Sequence, residues 1–183
     1  MIGTDRDRSS TGTLHLLVFP GPEFSNIPEE LLAQMVSLTW SAMTQVIPSE
    51  LSREDSEAMW MSSQKERIRN GSRYLLLLDA ELLKGYVAYR MDALSNELIF
   101  EDIVIQPCSQ GDGKTIFRLL SAFWDQVKRE PFERIRTYTN RQNMKMQRLL
   151  AKMGFRIVQE KDRGYAMAAE RDTLEAWWHH FAK

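Results

Sequence analysis

Two hydrophobic spacings alternate along this chain, and together they predict its elements. Thr13 to Phe19 (TLHLLVF) is a β-rich run closed by Pro20-Gly21-Pro22, and reads as a first strand. Asn26 is placed to cap a helix with Pro28, Glu29 and Glu30 in its first turn, where carboxylates suit the helix dipole. Leu31, Leu32, Met35, Leu38 and Ala42 then recur at helical spacing, and Pro48 is the expected stop. Ser52, with Asp55 three residues on, opens a second helix that runs to about Arg69 and halts at Asn70-Gly71. Tyr74 to Leu78 and Leu83 to Met91 read as a hairpin turning over Asp79 to Leu82, and Glu97 to Ile105 as a fourth strand.

Thr115 to Lys128 carries Ile116, Leu119, Leu120, Phe123 and Val127 on one helical face, and Pro131 ends it. Glu133 to Thr139 is the fifth strand, and Met144 to Met153 a short helix stopped by Gly154. Phe155 to Gln159 and Tyr165 to Ala169 complete the strands. A last helix starts near Asp172 and carries Trp177, Trp178 and Phe181. The order β-α-α-β-β-β-α-β-α-β-β-α predicts an α+β fold with a mixed sheet of about seven strands flanked by helices.

Composition changes this picture little. With 43% hydrophobic and 27% charged residues in 183, the chain suits one folded domain, expected over residues 13–183. Residues 1–12 read as a flexible lead-in, and residues 171–183 as a C-terminal helix. Lys plus Arg (24) nearly equals Asp plus Glu (25), so net charge makes no case for a nucleic-acid partner. Nine Lys or Arg against two carboxylates between Lys128 and Arg156 read first as a solvated face, with one or two reaching a bound phosphate. The single cysteine, Cys108, and the spacing of His15, His179 and His180 suggest no metal site. No apolar run approaches the roughly 20 residues a membrane helix needs. The polar start lacks the apolar core of a signal peptide, so the cytoplasm is the default location.

The candidate chemistry centres on Gln106 to Thr115, QPCSQGDGKT, between the fourth strand and the following helix. Its Gly113-Lys114-Thr115 ending matches half of a Walker nucleotide loop. The first glycine of that pattern is Cys108 here, and the apolar strand ending in Asp79 precedes the loop instead of following it. The segment Gln110-Gly111-Asp112-Gly113-Lys114-Thr115 instead resembles the Q/R-x-x-G-x-G/A loop of the GNAT N-acetyltransferase superfamily. The likeness extends upstream to Glu101–Pro107 (EDIVIQP) and downstream to Asn143–Phe155, with an Asn followed eleven residues later by Gly154-Phe155. In loop terms, unpaired N–H groups at a helix start attract a diphosphate, and glycines allow its close approach.

The resemblance implies a mostly antiparallel sheet that splays between its fourth and fifth strands. It implies acetyl-coenzyme A as co-substrate, transfer to a primary amine, and no metal. Ile103, Val104 and Ile105 would then bind the pantetheine arm through backbone groups. Gln110, Gly111, Asp112, Gly113, Lys114 and Thr115 would hold the pyrophosphate, and Asn143, Met146 and Leu150 a second wall.

For the base, alternation puts Glu101 with Ile103 and Ile105, which makes Glu101 the first candidate, and Asp102 with Val104; a bulge would change that parity and favour Asp102. Leu150 stands where many members of that family have a proton-donating tyrosine, which leaves Tyr138 as a substitute acid, or a chain that binds coenzyme A without catalysis. Trp40, Trp60 and Tyr89 fall on elements that border the acceptor cleft in that fold. The Trp-rich tail suits packing on the sheet or contact with a second copy in a homodimer.

Overall fold

The computed structural model describes residues 14–21, 27–110 and 113–181. The expectations for residues 1–12, Thr13, Asn26, Gly111 and Asp112 lie outside them. The elements run β1 (Leu14–Phe19), α1 (Glu29–Met43), α2 (Arg53–Arg69), β2 (Arg73–Asp79), β3 (Leu82–Asp92) and β4 (Glu97–Ile105). They continue with α3 (Lys114–Val127), β5 (Arg134–Asn140), α4 (Met144–Lys152), β6 (Arg156–Lys161), β7 (Gly164–Glu170) and α5 (Arg171–Phe181). Seven strands form one sheet in the order β1-β2-β3-β4-β5-β7-β6. Each adjacent pair is antiparallel except β4 and β5, which are parallel.

Local chemistry accounts for the element ends. Ser52 Oγ accepts from the Asp55 N–H at 3.0 Å and donates to the Asp55 carboxylate at 2.6 Å, so one residue both caps α2 and anchors its first turn. Helix α1 ends at Met43, five residues before the proline expected to stop it. The Val46 and Ile47 N–H groups both turn back to the Met43 carbonyl, so a turn replaces the last helical residues. Pro48 marks the far side of that turn.

Helices cover both sheet faces. On one side, Leu119, Leu120, Phe123 and Val127 of α3 pack with Leu150 of α4 and Leu174 of α5 against Leu75, Val87 and Ile135. On the other, Leu32, Met35 and Leu38 of α1 pack against Tyr74, Leu76, Tyr86 and Val104. Strands β2 and β3 are buried on both faces, which is why they read as unbroken apolar runs. Each fully buried large side chain contributes about 1.5–3 kcal/mol of transfer free energy. The tail packs back on the molecule: Trp178 stacks on Phe117 with rings 6.1 Å apart and 11° from parallel. Among the described residues no helix is long and apolar enough to cross a membrane.

Candidate functional site

The site begins where the sheet opens. The parallel ladder joins only Glu97–Phe100 to Arg134–Thr137. Beyond it, β4 stays with β3 as far as Ile105, and β5 stays with β7 as far as Asn140. The two strands therefore diverge into a V. Among the described residues, the peptide groups of β4 between Glu101 and Ile105 that face away from β3 have no partner strand and line the gap.

Gly85 keeps α3 close to this gap. A Cβ there would lie 2.8 Å from the Val104 carbonyl oxygen and 2.9 Å from both Ile105 Cγ2 and Leu119 Cδ1. Its absence lets β3, β4 and α3 meet, so the start of α3 sits at the end of β4. Gly113 caps α3 in the left-handed region, with φ of 67°. As the N-cap residue, Gly113 offers no side chain of its own to the first turn of α3.

Two adjoining cavities occupy the V. One of about 500 Å³ lies between the end of α1, Ile103–Ile105, Gln110 and α4, where Asn143, Met146 and Leu149 form the wall. The other, of about 360 Å³, opens toward α1 and α2 and is lined by Trp60, Gln64, Arg67, Glu101, Asp102 and Tyr138 among others. They share Met43, Ile103, Val104, Asn143 and Met146.

The carboxylates of β4 meet in the second cavity because the strand bulges. Ala88 pairs with Asp102 and Tyr89 with Phe100, which leaves Glu101 as the extra residue. Strict alternation separates Glu101 from Asp102; the bulge overturns it and brings both beside Arg67 of α2. Past the bulge, Ile103 and Ile105 pack on the α3 side and Val104 on the α1 side.

Asp102 is ion-paired and hydrogen-bonded to Arg67. Glu101 Oε1 lies 3.2 Å from Arg90 Nε, and its side chain is only 10% exposed. Glu101 Oε2 is buried without a hydrogen-bond partner, and the nearby Ser72 hydroxyl does not reach bonding geometry with it. Burial, helped by the neighbouring Asp102, raises the Glu101 carboxyl above its ordinary value, against the pull of the Ser72 hydroxyl, Arg67 and Arg90. Burial raises Asp102 too, against Arg67. Burial works against the Arg67 cation, but Asp102 and Glu101 beside it hold its pKa above the usual range.

A polar network supports this floor. The Tyr74 hydroxyl donates to Gln64 Oε1 at 2.8 Å. Thr39 donates to the Met35 carbonyl at 2.8 Å, so at 2.7 Å Tyr86 donates to Thr39. Burial pushes both tyrosines upward, which keeps them neutral donors.

The expected residues divide. Ile103, Val104, Ile105, Gln110, Asn143 and Met146 converge on the larger cavity, and Gly113, Lys114 and Thr115 form the adjacent helix start. Asn143 also caps α4, its Oδ1 accepting from the Met146 N–H at 3.1 Å. Glu101, Asp102 and Tyr138 line the smaller cavity. Three expectations are corrected. Leu150 is buried in the core, one helical position round from the cavity wall that Leu149 forms. Tyr89 is buried against Phe123 on the α3 side of the sheet, away from the smaller cavity. Trp40 lies behind Trp60, rings 6.1 Å apart, and Trp60 is the one at the cavity. Gln64 and Arg67 were missed, although Trp60, Ser63, Gln64 and Arg67 follow i, i+3, i+4, i+7 and mark one helix face.

No protein-family model matches the sequence, and no curated protein matches it. Solved structures match the fold. An N-acetyltransferase, PaiA, from Thermoplasma acidophilum in complex with coenzyme A superposes with a TM-score of 0.66 at 16% identity, over 86% of this chain and 99% of that one. A GNAT-family acetyltransferase from Staphylococcus aureus gives 0.66 at 10% identity, over 86% and 99%. An acetyltransferase from Streptococcus agalactiae gives 0.62 at 15%, over 87% and 99%. The chain has the GNAT fold. In this GNAT fold a splayed sheet, a glycine-led helix start and a buried carboxylate surround one continuous cleft. That set can hold an extended ligand with an anionic end and receive a proton at its centre.

Proposed function

We propose that this protein is an acetyl-coenzyme A-dependent N-acetyltransferase acting on a primary amine. The observation that carries the reading is the V between β4 and β5, whose open β4 edge leads from the α3 start to Glu101. The pantetheine arm lies along Ile103–Ile105, and the pyrophosphate at the loop from Gln110 to Thr115. Asn143 and Met146 form the opposite wall.

An amine is protonated near neutral pH, so it must lose a proton before it attacks. Glu101 accepts that proton; a carboxyl raised by burial is a better acceptor than an ordinary one. An N–H on the open edge of β4 polarises the thioester carbonyl. The nitrogen–carbon bond forms as the carbon–sulfur bond breaks; the thiolate takes a proton from Tyr138 or water, which the second proton released by the acetylated nitrogen replaces. Asp102, neutralised by Arg67, holds the floor beside Glu101.

Calorimetry with acetyl-coenzyme A, followed by thiol release across a panel of amines, tests the reading. Binding with turnover supports it. Binding without turnover on any amine identifies a coenzyme A-binding protein of the same fold, and absence of binding overturns both.

A further inference from the structure

The two cavities of the cleft share Met43, Ile103, Val104, Asn143 and Met146. On the reading above, the pantetheine arm fills the larger cavity and the amine enters the smaller one. The acyl group must be reachable from both, so it lies against these shared residues. Three of them are held in place. Val104 is 8% exposed and packs on the α1 side, Ile103 packs on the α3 side, and Asn143 Oδ1 accepts from the Met146 N–H. The other two are methionines from separate elements, Met43 at the end of α1 and Met146 in the first turn of α4. Both are half-buried. A methionine is unbranched and turns about each side-chain bond, so it moves aside where a β-branched residue stands as a wall.

The smaller cavity continues the apolar surface beyond this boundary. The turn after α1 brings Ile47 back to Met43, the Ile47 N–H donating to the Met43 carbonyl at 2.8 Å. Trp60 lines the same cavity from α2. Neither core cluster includes Met43, Ile47 or Trp60, so core packing does not account for this wall. The charged lining of the cavity is Arg67, Glu101 and Asp102, and Arg67 is committed to Asp102. Two acids to one base disfavour a negative group brought in at the end of an acyl chain.

We infer that Met43 and Met146 set the acyl selectivity of this protein: they admit neutral straight chains, acetyl, propionyl and butyryl, lying toward Ile47 and Trp60, and the cavity excludes acyl groups that end in a carboxylate. This rests on the acetyltransferase reading above and specifies its donor. The bonds made and broken are those of acetyl transfer; only the chain is longer. Each methylene taken out of water onto this wall adds up to about fourfold in affinity.

The test separates the two levels. Calorimetry with free coenzyme A and with its acetyl, propionyl, butyryl and succinyl thioesters is run first on the unaltered protein. If none binds, the acetyltransferase reading fails and takes this inference with it. With binding established, butyryl-coenzyme A is expected to bind about twofold or more tighter than acetyl-coenzyme A, and succinyl-coenzyme A about tenfold more weakly than butyryl-coenzyme A. Affinity that falls from acetyl to butyryl, or equal binding of succinyl and butyryl, overturns the inference and leaves the coenzyme A reading standing. Met43→Ile and Met146→Ile keep an apolar side chain of similar size and stiffen it at its base. Each should lower the butyryl-to-acetyl affinity ratio by about threefold or more, with the same fall in the kcat/KM ratio on any amine that is turned over. A ratio unchanged in both folded variants, or an equal loss for free coenzyme A and butyryl-coenzyme A, overturns the inference as well.

Discussion

The two cavities of the cleft are built differently. The larger uses main chain: an open strand edge, a left-handed glycine and the first turn of α3. The smaller uses side chains from α1, α2, β4 and β5, distant in sequence and joined by one ion pair and one hydrogen-bonded network. Backbone sites tolerate most side-chain changes and fail when the local conformation fails. Side-chain sites fail one residue at a time. Mutations in the two regions should therefore separate binding from turnover.

The largest separation is expected at Glu101. Glu101→Gln should lower kcat by about a hundredfold or more while the affinity for acetyl-coenzyme A stays within about twofold; an unchanged kcat would remove Glu101 as the base. The same change has a second signature. A carboxyl raised in the folded state contributes stability below its unfolded pKa and loses it as pH rises through the folded one. At neutral pH the ionised form is a cost, so Glu101→Gln should raise the melting temperature as it removes activity. A lowered melting temperature at pH 7 would contradict the raised carboxyl.

The pair beneath comes next. Asp102→Asn leaves Arg67 half-buried and without its partner, and should cost about 2 kcal/mol in denaturant unfolding, between exposed and fully buried pairs. The double variant Arg67→Met with Asp102→Asn should recover part of that loss; additive losses would show that the pair is not coupled.

On the other side of the comparison, Gly113→Ala places a Cβ at φ of 67° and should cost about 1 kcal/mol, read as weaker acetyl-coenzyme A binding with kcat little changed. A kcat loss without a binding loss would reverse the division between the cavities. The smallest effect concerns pH. The acid limb of kcat/KM should lie above the ordinary glutamate range, rising with pH as Glu101 ionises, and be absent in Glu101→Gln. A limb at the ordinary value would place the base in a more solvated setting.

Much of the larger cavity was legible in the sequence. Gly113, the run Ile103–Ile105 and the Asn143 start of α4 are local signals, and local geometry decides what they do. The smaller cavity was half legible. Glu101 and Asp102 stood out as carboxylates on a strand, but their orientation did not. Alternation assigns them to opposite faces, and only the register slip against Ala88 and Tyr89 brings both to Arg67. Trp60, Ser63, Gln64 and Arg67 lay in view at helical spacing, yet a polar stripe reads as a solvated face until a sheet is packed under it.

The sequence by itself determined the order of strands and helices, the buried hairpin and the glycine-bearing start of α3, because each depends on residues close along the chain. The tertiary structure decided which side of α4 faces the cleft, that Tyr89 belongs to the core, and where β4 and β5 part. It also decided that one carboxylate is neutralised while its neighbour keeps an oxygen unpaired. Those outcomes depend on pairing register and burial, which join residues from 11 positions apart (Tyr89 and Phe100) to 35 (Arg67 and Asp102), and no local pattern encodes them.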